Sequence, residues 1–169
     1  IEHYAYREYG IRESNFTMPK TEQHYTDVLT PVERRRLENY LINNMSLTNL
    51  AVLLCLFTGL RIGELCGLKW EDIDFSACTL SVKRTVQRIT KNGKSQVVIG
   101  SPKSRTSVRV VPIPEFLMTL LMEYKSFGGF YIITNSVKPT EPRTMQNRFK
   151  SILKACGIRN VNFHLLRHT

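Results

Sequence analysis

The sequence predicts a mainly helical α+β domain that carries a small antiparallel sheet. Two observations favour this class: apolar residues recur at helical spacing over most of the chain, and short segments in its middle alternate apolar and polar residues. The chain has 169 residues, 42% of them hydrophobic. That is enough for a core, because a domain of roughly 150 residues hides about 70% of its unfolded surface.

Clear start and stop signals define the first two helices. Thr30, Pro31 and Glu33 predict a helix start, with threonine as the N-cap, proline at the first helical position and glutamate completing a capping box. This helix is expected to end near residue 43. Residues 47–58 are apolar on nearly every face, which predicts a central buried helix ended by Gly59.

Period-two alternation predicts a small three-stranded antiparallel sheet from residues 79–83, 95–99 and 108–113. The Asn92-Gly93 pair is typical of a tight hairpin turn before the second of these strands. A further short strand is expected at residues 131–134.

The remaining helices are predicted at residues 62–66, 115–125 and 140–156, and a last one begins at Asn162. The helix at 140–156 has an apolar stripe and, on the opposite side, a polar stripe of Arg143, Asn147, Lys150 and Lys154. Such a helix can lie in the major groove of DNA, with its arginine and asparagine near base edges and its lysines near phosphates. A solvated amphipathic helix is the alternative.

Basic residues are concentrated in the second part of the chain. Residues 1–74 hold 8 basic and 11 acidic residues, a net charge of −3, whereas residues 75–169 hold 16 basic and 3 acidic residues, a net charge of +13. Such a field favours a polyanionic partner, most often nucleic acid, over a merely solvated basic surface. Arg84 and Arg88 on the predicted sheet could follow a DNA backbone or lie in solvent.

Membrane and secreted classes are excluded by the apolar pattern. The longest apolar run, residues 50–57, is far shorter than the roughly 20 residues of a membrane span. Residues 1–10 carry charges where a secretory signal would be apolar. The four widely spaced cysteines are expected to be reduced core residues of a cytoplasmic protein without a zinc site.

Two segments carry candidate functional residues. Arg61 lies in TGLRIGEL (58–65), at a glycine-broken turn between two buried helices. Its fork could bind a phosphate with two parallel hydrogen bonds, or it could pair with Glu64. His164 and Arg167 in HLLRHT (164–169) share one helical face, which alone is also typical of a solvated surface.

Together these segments resemble the catalytic domain of the tyrosine recombinases, the phage-integrase family. PKSRTSVRVVPI (102–113) is similar to that family's lysine-bearing hairpin and following strand, and LKWEDID (68–74) to the lead into its first strand. The resemblance covers residues 25–169. It implies that residues 1–24 are the end of an upstream core-binding domain and a linker.

The resemblance also implies a role for each candidate residue. Arg61 and Arg167 would hold the scissile phosphate, with Glu64 supporting the arginine turn. Charge grows on the phosphoryl oxygens during attack, so guanidiniums fixed in advance stabilise the transition state most. His164 would assist there, and Lys103 would protonate the leaving 5′ oxygen as a general acid. No metal or other cofactor is expected.

In this family the nucleophile is a tyrosine several helical turns beyond the histidine–arginine motif. All seven tyrosines here precede that motif: Tyr4, Tyr6, Tyr9, Tyr25, Tyr40, Tyr124 and Tyr131. The sequence therefore predicts a catalytic domain, residues 25–169, without its C-terminal part.

The predicted parent protein is a site-specific recombinase that breaks and rejoins double-stranded DNA through a 3′-phosphotyrosyl intermediate. It would work with other protomers in a bacterial or phage-encoded, nucleoid-associated setting, and this chain would bind DNA without cleaving it. A type IB topoisomerase-like enzyme and a DNA-binding regulator of the same fold without catalysis are the alternatives.

Overall fold

The computed structural model of the protein describes residues 28–91, 93–101, 109–125 and 130–167. Within these ranges the chain forms five α-helices and five β-strands. The predicted upstream segment 1–24 and Lys103 lie outside the described residues, as do the last two residues of the chain.

Helix α1 (Pro31–Asn43) begins with the predicted capping box. The Thr30 hydroxyl accepts from the backbone N–H of Glu33 at 3.2 Å, and the backbone N–H of Thr30 donates to the Glu33 carboxylate at 2.8 Å. These reciprocal bonds satisfy two donors that a helix start leaves without partners. The start and end of this helix are confirmed as predicted.

Helix α2 (Leu47–Thr58) is the centre of the core. All of its residues from 49 to 56 are buried, because apolar side chains cover nearly the whole circumference. The helix ends at Gly59, whose φ of +63° lies in the left-handed region that favours glycine. The prediction of a buried helix and its glycine stop is confirmed.

Helix α3 (Ile62–Gly67) follows directly and packs against the chain at Thr85 and Val86. A Cβ atom added at Gly63 would lie 2.6 Å from the Thr85 hydroxyl and 2.8 Å from the Val86 carbonyl oxygen. Only glycine therefore allows this close approach between helix and strand. A 3₁₀ turn at Trp70–Asp72 completes the segment.

The three-stranded antiparallel sheet has the order β1 (Ile73–Asp74), β2 (Thr79–Val82) and β5 (Arg109–Pro112). Its register pairs Leu80 with Val111 and Val82 with Arg109. This sheet has three strands, as predicted. The strand predicted at 95–99 does not belong to it, however, and the two-residue β1 is its third strand. So short a strand has no periodicity from which to predict it.

The segment at 95–99 instead belongs to a separate hairpin of β3 (Thr85–Lys91) and β4 (Lys94–Gly100). Lys91 pairs with Lys94 at the end of this hairpin. Asn92 of the predicted turn lies outside the described residues. Gly93 has a φ of +72°. Sequence reasoning missed β3 because its outer half is exposed and polar.

The second half of the chain adds α4 (Glu115–Glu123), α5 (Pro142–Ala155) and a 3₁₀ helix at Phe163–Arg167. The strand predicted at residues 131–134 is wrong: these residues form a buried turn with only isolated bridge pairs. Their apolar side chains fill the core, and burial alone does not distinguish a strand from a buried turn. None of the helices that the structure describes has the length and apolarity that crossing a bilayer requires.

All four cysteines are free thiols, and Cys55, Cys66 and Cys156 are buried. This agrees with their prediction as reduced core residues.

We expect Gly63→Ala to lower the free energy of unfolding by roughly 1–3 kcal/mol, because overpacking against backbone atoms cannot be relieved by a rotamer change. The matched control is Gly100→Ala on β4, where an added Cβ meets nothing within 4 Å. Urea unfolding of both variants gives the comparison. Equal stability of the two would show that α3 can move away from β3 at no cost.

Candidate functional site

The turn between α2 and α3 presents Arg61. Leu60 before it is buried at 1% exposure, and its carbonyl oxygen accepts from the Cys55 thiol at 3.0 Å, so the turn is fixed from within. Arg61 is the N-cap residue of α3, and its side chain is 53% exposed. The guanidinium is thus about half exposed, and its Nη1 also donates to Glu64, which is the alternative that the sequence left open.

Glu64 holds this turn with a carboxylate that is only 3% exposed. One oxygen accepts from the Arg61 backbone N–H at 2.8 Å and the other from the Arg61 guanidinium at 2.9 Å. Arg109 donates from its two Nη atoms to the same two oxygens, at 2.9 and 3.0 Å. Burial favours the neutral acid, but the bonds from Arg109 and Arg61 outweigh it and lower the pKa of Glu64.

Sequence reasoning missed Arg109, the first residue of β5. Its bidentate bonds to Glu64 raise the pKa of its guanidinium against the opposing effect of burial. Glu64 thus pairs with both arginines, although the sequence suggested only Arg61 as its partner. No local spacing could have revealed the second partner, because it lies 45 positions further along the chain.

The 3₁₀ helix at Phe163–Arg167 presents the other two candidates. The Asn162 side chain accepts from the backbone N–H of His164 at 3.1 Å, as expected of an N-cap. Since a 3₁₀ helix has three residues per turn, His164 and Arg167 lie on the same face. The intervening Leu165 and Leu166 are buried and anchor the segment in the core.

Arg167 has an unusual environment. Its Nη1 atom is buried, yet within the described part of the chain it donates to no hydrogen-bond acceptor. Native structures satisfy nearly all buried donors, so this atom is expected to meet an acceptor that is not among the described residues. His164 is exposed on the same segment.

Cys55 on α2 connects the two parts of the site. Burial raises the pKa of its thiol to about 12, while the charge of Arg167 acts to lower it and the charge of Glu64 acts to raise it. The same thiol donates to the Leu60 carbonyl oxygen in the Arg61 turn, and the 3₁₀ helix that carries Arg167 packs against α2. The Arg61 turn and the segment of Arg167 therefore both contact α2.

Helix α5 has the two faces that the sequence predicts. Met145, Phe149, Ile152 and Leu153 are buried. The side chains predicted for DNA contact are all exposed: Arg143, Asn147, Lys150 and Lys154. Among the described residues, none of the three basic ones forms an ion pair. Their contact with DNA stays a prediction.

The two arginines predicted to follow DNA on the sheet lie outside the three-stranded sheet, Arg84 between β2 and β3 and Arg88 on β3. Both are engaged within the protein. Arg84 donates to Asp72 at 2.6 Å and contacts Glu71 at 3.2 Å, and its side chain is only 20% exposed. Arg88 pairs with Glu141 and remains 48% exposed. DNA contact by either stays a prediction, and the structure gives Arg84 an internal structural role. Lys103 lies outside the described residues.

Comparison with known proteins gives the class. The sequence model of the Phage integrase family matches residues 27–169. The chain is 32% identical over 139 residues to a XerC-like tyrosine recombinase of Caldanaerobacter subterraneus subsp. tengcongensis, covering 69% of this chain and 36% of that protein. It is 31% identical over 160 residues to the tyrosine recombinase XerA of Pyrococcus furiosus, covering 90% of this chain and 47% of that one.

Solved structures agree on the fold. The Tn1549 transposon integrase, in complex with transposon right end DNA, superposes with a TM-score of 0.69 at 22% identity, over 99% of this chain and 60% of that one. A crystal structure of the XerA recombinase gives a TM-score of 0.61 at 23% identity, over 96% and 55%. The fold is that of a tyrosine-recombinase catalytic domain, as predicted.

The chain belongs to the phage integrase family of tyrosine recombinases. It spans less than half the length of the two curated relatives described above.

We expect Glu64→Gln to lose stability in a pH-dependent way. The folded-state pKa of Glu64 lies below its ordinary value of 4.5, so the ionised carboxylate stabilises the fold above that pH. This contribution is lost as the pH falls through the lower folded-state value. At pH 7 the variant should unfold more easily by roughly 1–3 kcal/mol, the usual range for hydrogen bonds to a charged group.

The measurement is urea unfolding of both proteins between pH 7 and about pH 3, where the difference should shrink. Glu38→Gln is the control, because Glu38 pairs with Arg34 near the surface of α1. It should change stability by less than about 1 kcal/mol at every pH. A difference at Glu64 that does not depend on pH would contradict this account.

Proposed function

We propose that this chain is the DNA-binding and phosphate-activating part of a site-specific tyrosine recombinase, which breaks and rejoins DNA by transesterification through a 3′-phosphotyrosyl intermediate. The observation that carries the proposal is that the turn of Arg61 and the 3₁₀ helix of Arg167 both contact α2. Arg61 is exposed on a turn fixed by Glu64, and Arg167 keeps a buried Nη1 without a partner among the described residues.

A phosphodiester supplies the acceptor that this geometry lacks. Arg61 uses its backbone N–H and Nη1 on Glu64, and its other guanidinium nitrogens donate to no described residue. A phosphate bound there would accept from Arg61 and Arg167 together. Since negative charge increases on its oxygens during attack, two guanidiniums fixed in advance favour the transition state over the ground state.

His164 lies on the same face as Arg167 and would donate a hydrogen bond to the phosphate or share in proton transfer. The family resemblance assigns the general acid to Lys103. A lysine suits this role better than the neighbouring Arg105, because an arginine does not give up its proton in proteins.

Lys103 as general acid predicts a rescue experiment in a longer chain that includes the nucleophilic tyrosine. Lys103→Ala should cleave ordinary DNA slowly and recover on a substrate with sulfur at the bridging 5′ position, because a thiolate leaves without a proton. Arg61→Ala should stay slow on both substrates, since it acts on the phosphoryl oxygens. Rescue of Arg105→Ala in place of Lys103→Ala would assign the proton to the arginine.

The partner we propose is double-stranded DNA, shared with other protomers of the same recombinase. The Tn1549 integrase, which has this fold, is known in complex with transposon DNA. In this chain the exposed basic face of α5 and the excess of 16 basic over 3 acidic residues in 75–169 support the same partner. The nucleophilic tyrosine is expected after the histidine–arginine motif in the chain. Tyr131 comes before that motif, and its side chain is buried at 5% exposure.

We therefore expect these 169 residues to bind duplex DNA without forming a covalent adduct. Binding should weaken steeply with salt, because each phosphate that a basic side chain neutralises releases condensed counterions. Gel-shift titrations at several salt concentrations, followed by denaturing electrophoresis, test both statements. Absent or salt-independent binding contradicts the proposed partner, and an adduct that survives denaturation contradicts the expected position of the nucleophile.

Helix α5 should carry part of the sequence preference. Arg143→Ala should reduce discrimination at one or two base pairs by roughly 1–3 kcal/mol, as for a lost base contact. Lys154→Ala on the same face should weaken binding to all sequences about equally, as for a lost phosphate contact. Binding to a selected site and to random duplex gives the comparison. If both variants act alike on both duplexes, α5 does not lie in the groove.

A further inference from the structure

The ion cluster around Glu64 contains more positive charge than its carboxylate needs. Arg61 and Arg109 together carry two positive charges, and Glu64 carries one negative charge that is 3% exposed. The cluster therefore has a net charge of +1. Arg109 is 28% exposed and directs both Nη atoms onto the carboxylate, while Arg61 contacts it with one and is 53% exposed.

We propose that Arg109 is a positioning residue that neutralises Glu64 so that the charge of Arg61 remains available to the phosphate. The inference rests on the proposed phosphate role of Arg61. A carboxylate offers about four acceptor sites, and here two are taken by Arg61 and two by Arg109. With all four occupied, the carboxylate cannot turn, and the Arg61 fork is held at one edge only.

Loss of Arg109 would change the balance of charge at the turn. A buried carboxylate must be compensated, and Arg61 would be the one partner of Glu64 left among the described residues. The Arg61–Glu64 pair would then have no net charge, and its guanidinium would be drawn toward the carboxylate. An approaching anion would meet a neutral turn. This effect differs from a loss of packing, because it depends on charge and is reversed when Glu64 is neutralised too.

Arg159 provides a control. It also donates to a carboxylate that is mostly buried, that of Glu33, which is 17% exposed. Glu33 belongs to the first turn of α1 and not to the Arg61 turn. Arg159→Gln should therefore remove an arginine–carboxylate pair and leave the charge of the Arg61 turn unchanged.

The experiment is a titration of the chain with inorganic phosphate, followed by the guanidinium NMR signals of Arg61 and Arg167. Arg109→Gln should weaken phosphate binding about fivefold or more, as expected when one charge is lost near an anion in a partly solvated site. Arg159→Gln should bind phosphate as the parent protein does. The double variant Glu64→Gln with Arg109→Gln should recover affinity to within about twofold, because it restores the net charge of +1.

Three results would overturn the inference. If Arg109→Gln binds phosphate as tightly as the parent protein, Arg109 has no effect on the site. If the double variant is as weak as the single one, Arg109 contacts the anion itself or acts only through folding. Arg109→Lys keeps the charge, and it is the variant to use should Arg109→Gln fail to fold. If Arg109→Lys binds phosphate as weakly as Arg109→Gln, the charge of this side chain is not what matters.

A measurement without phosphate separates this inference from the proposed function. The Arg61 guanidinium signal should shift in Arg109→Gln and not in Arg159→Gln. If it shifts as expected while phosphate moves neither the Arg61 nor the Arg167 signal in the parent protein, the phosphate site is wrong and the Arg109–Arg61 coupling stands. An unshifted Arg61 signal refutes the coupling, whatever phosphate does.

Discussion

The buried carboxylate of Glu64 is the constraint on which the arrangement of this site depends. An ionised carboxylate at 3% exposure is costly unless it is paired and hydrogen-bonded. Its partners come from the turn before α3 and from the start of β5, so one charge fixes a helix start against a sheet edge. The orientation of Arg61 follows from this fixation.

A second buried carboxylate, that of Asp72, performs a similar task just after α3. Asp72 accepts from the Lys69 backbone N–H at 3.0 Å and from Arg84 at 2.6 Å. It thereby ties the 3₁₀ turn to the start of β3, where Gly63 allows α3 to approach the strand closely. Two acidic side chains thus determine how the strands lie against α3, and both use arginines from the basic half of the chain.

This use of arginines changes the meaning of the charge distribution. The net charge of +13 in residues 75–169 indicates a polyanionic partner, but it does not indicate which basic residues face that partner. Arg84, Arg88 and Arg109 all pair with acidic side chains of the protein. The basic side chains of α5 make no such pairs among the described residues, which supports the proposed contact of α5 with DNA.

The same difference between local and distant interactions explains what the sequence could predict. The capping box at Thr30, the glycine stop at Gly59 and the two faces of α5 depend on neighbours within one or two turns, and all three were predictable. The partition of the strands into a sheet and a hairpin depends on pairing between distant segments, and the buried turn at 131–134 has no periodicity that separates it from a strand. Arg61 and Arg167 could be found from motifs, whereas Arg109 became visible only when the sheet placed β5 beside the Arg61 turn. A residue that acts through a partner 45 positions away leaves no local pattern, and three-dimensional pairing is the physical information that the sequence pattern lacks.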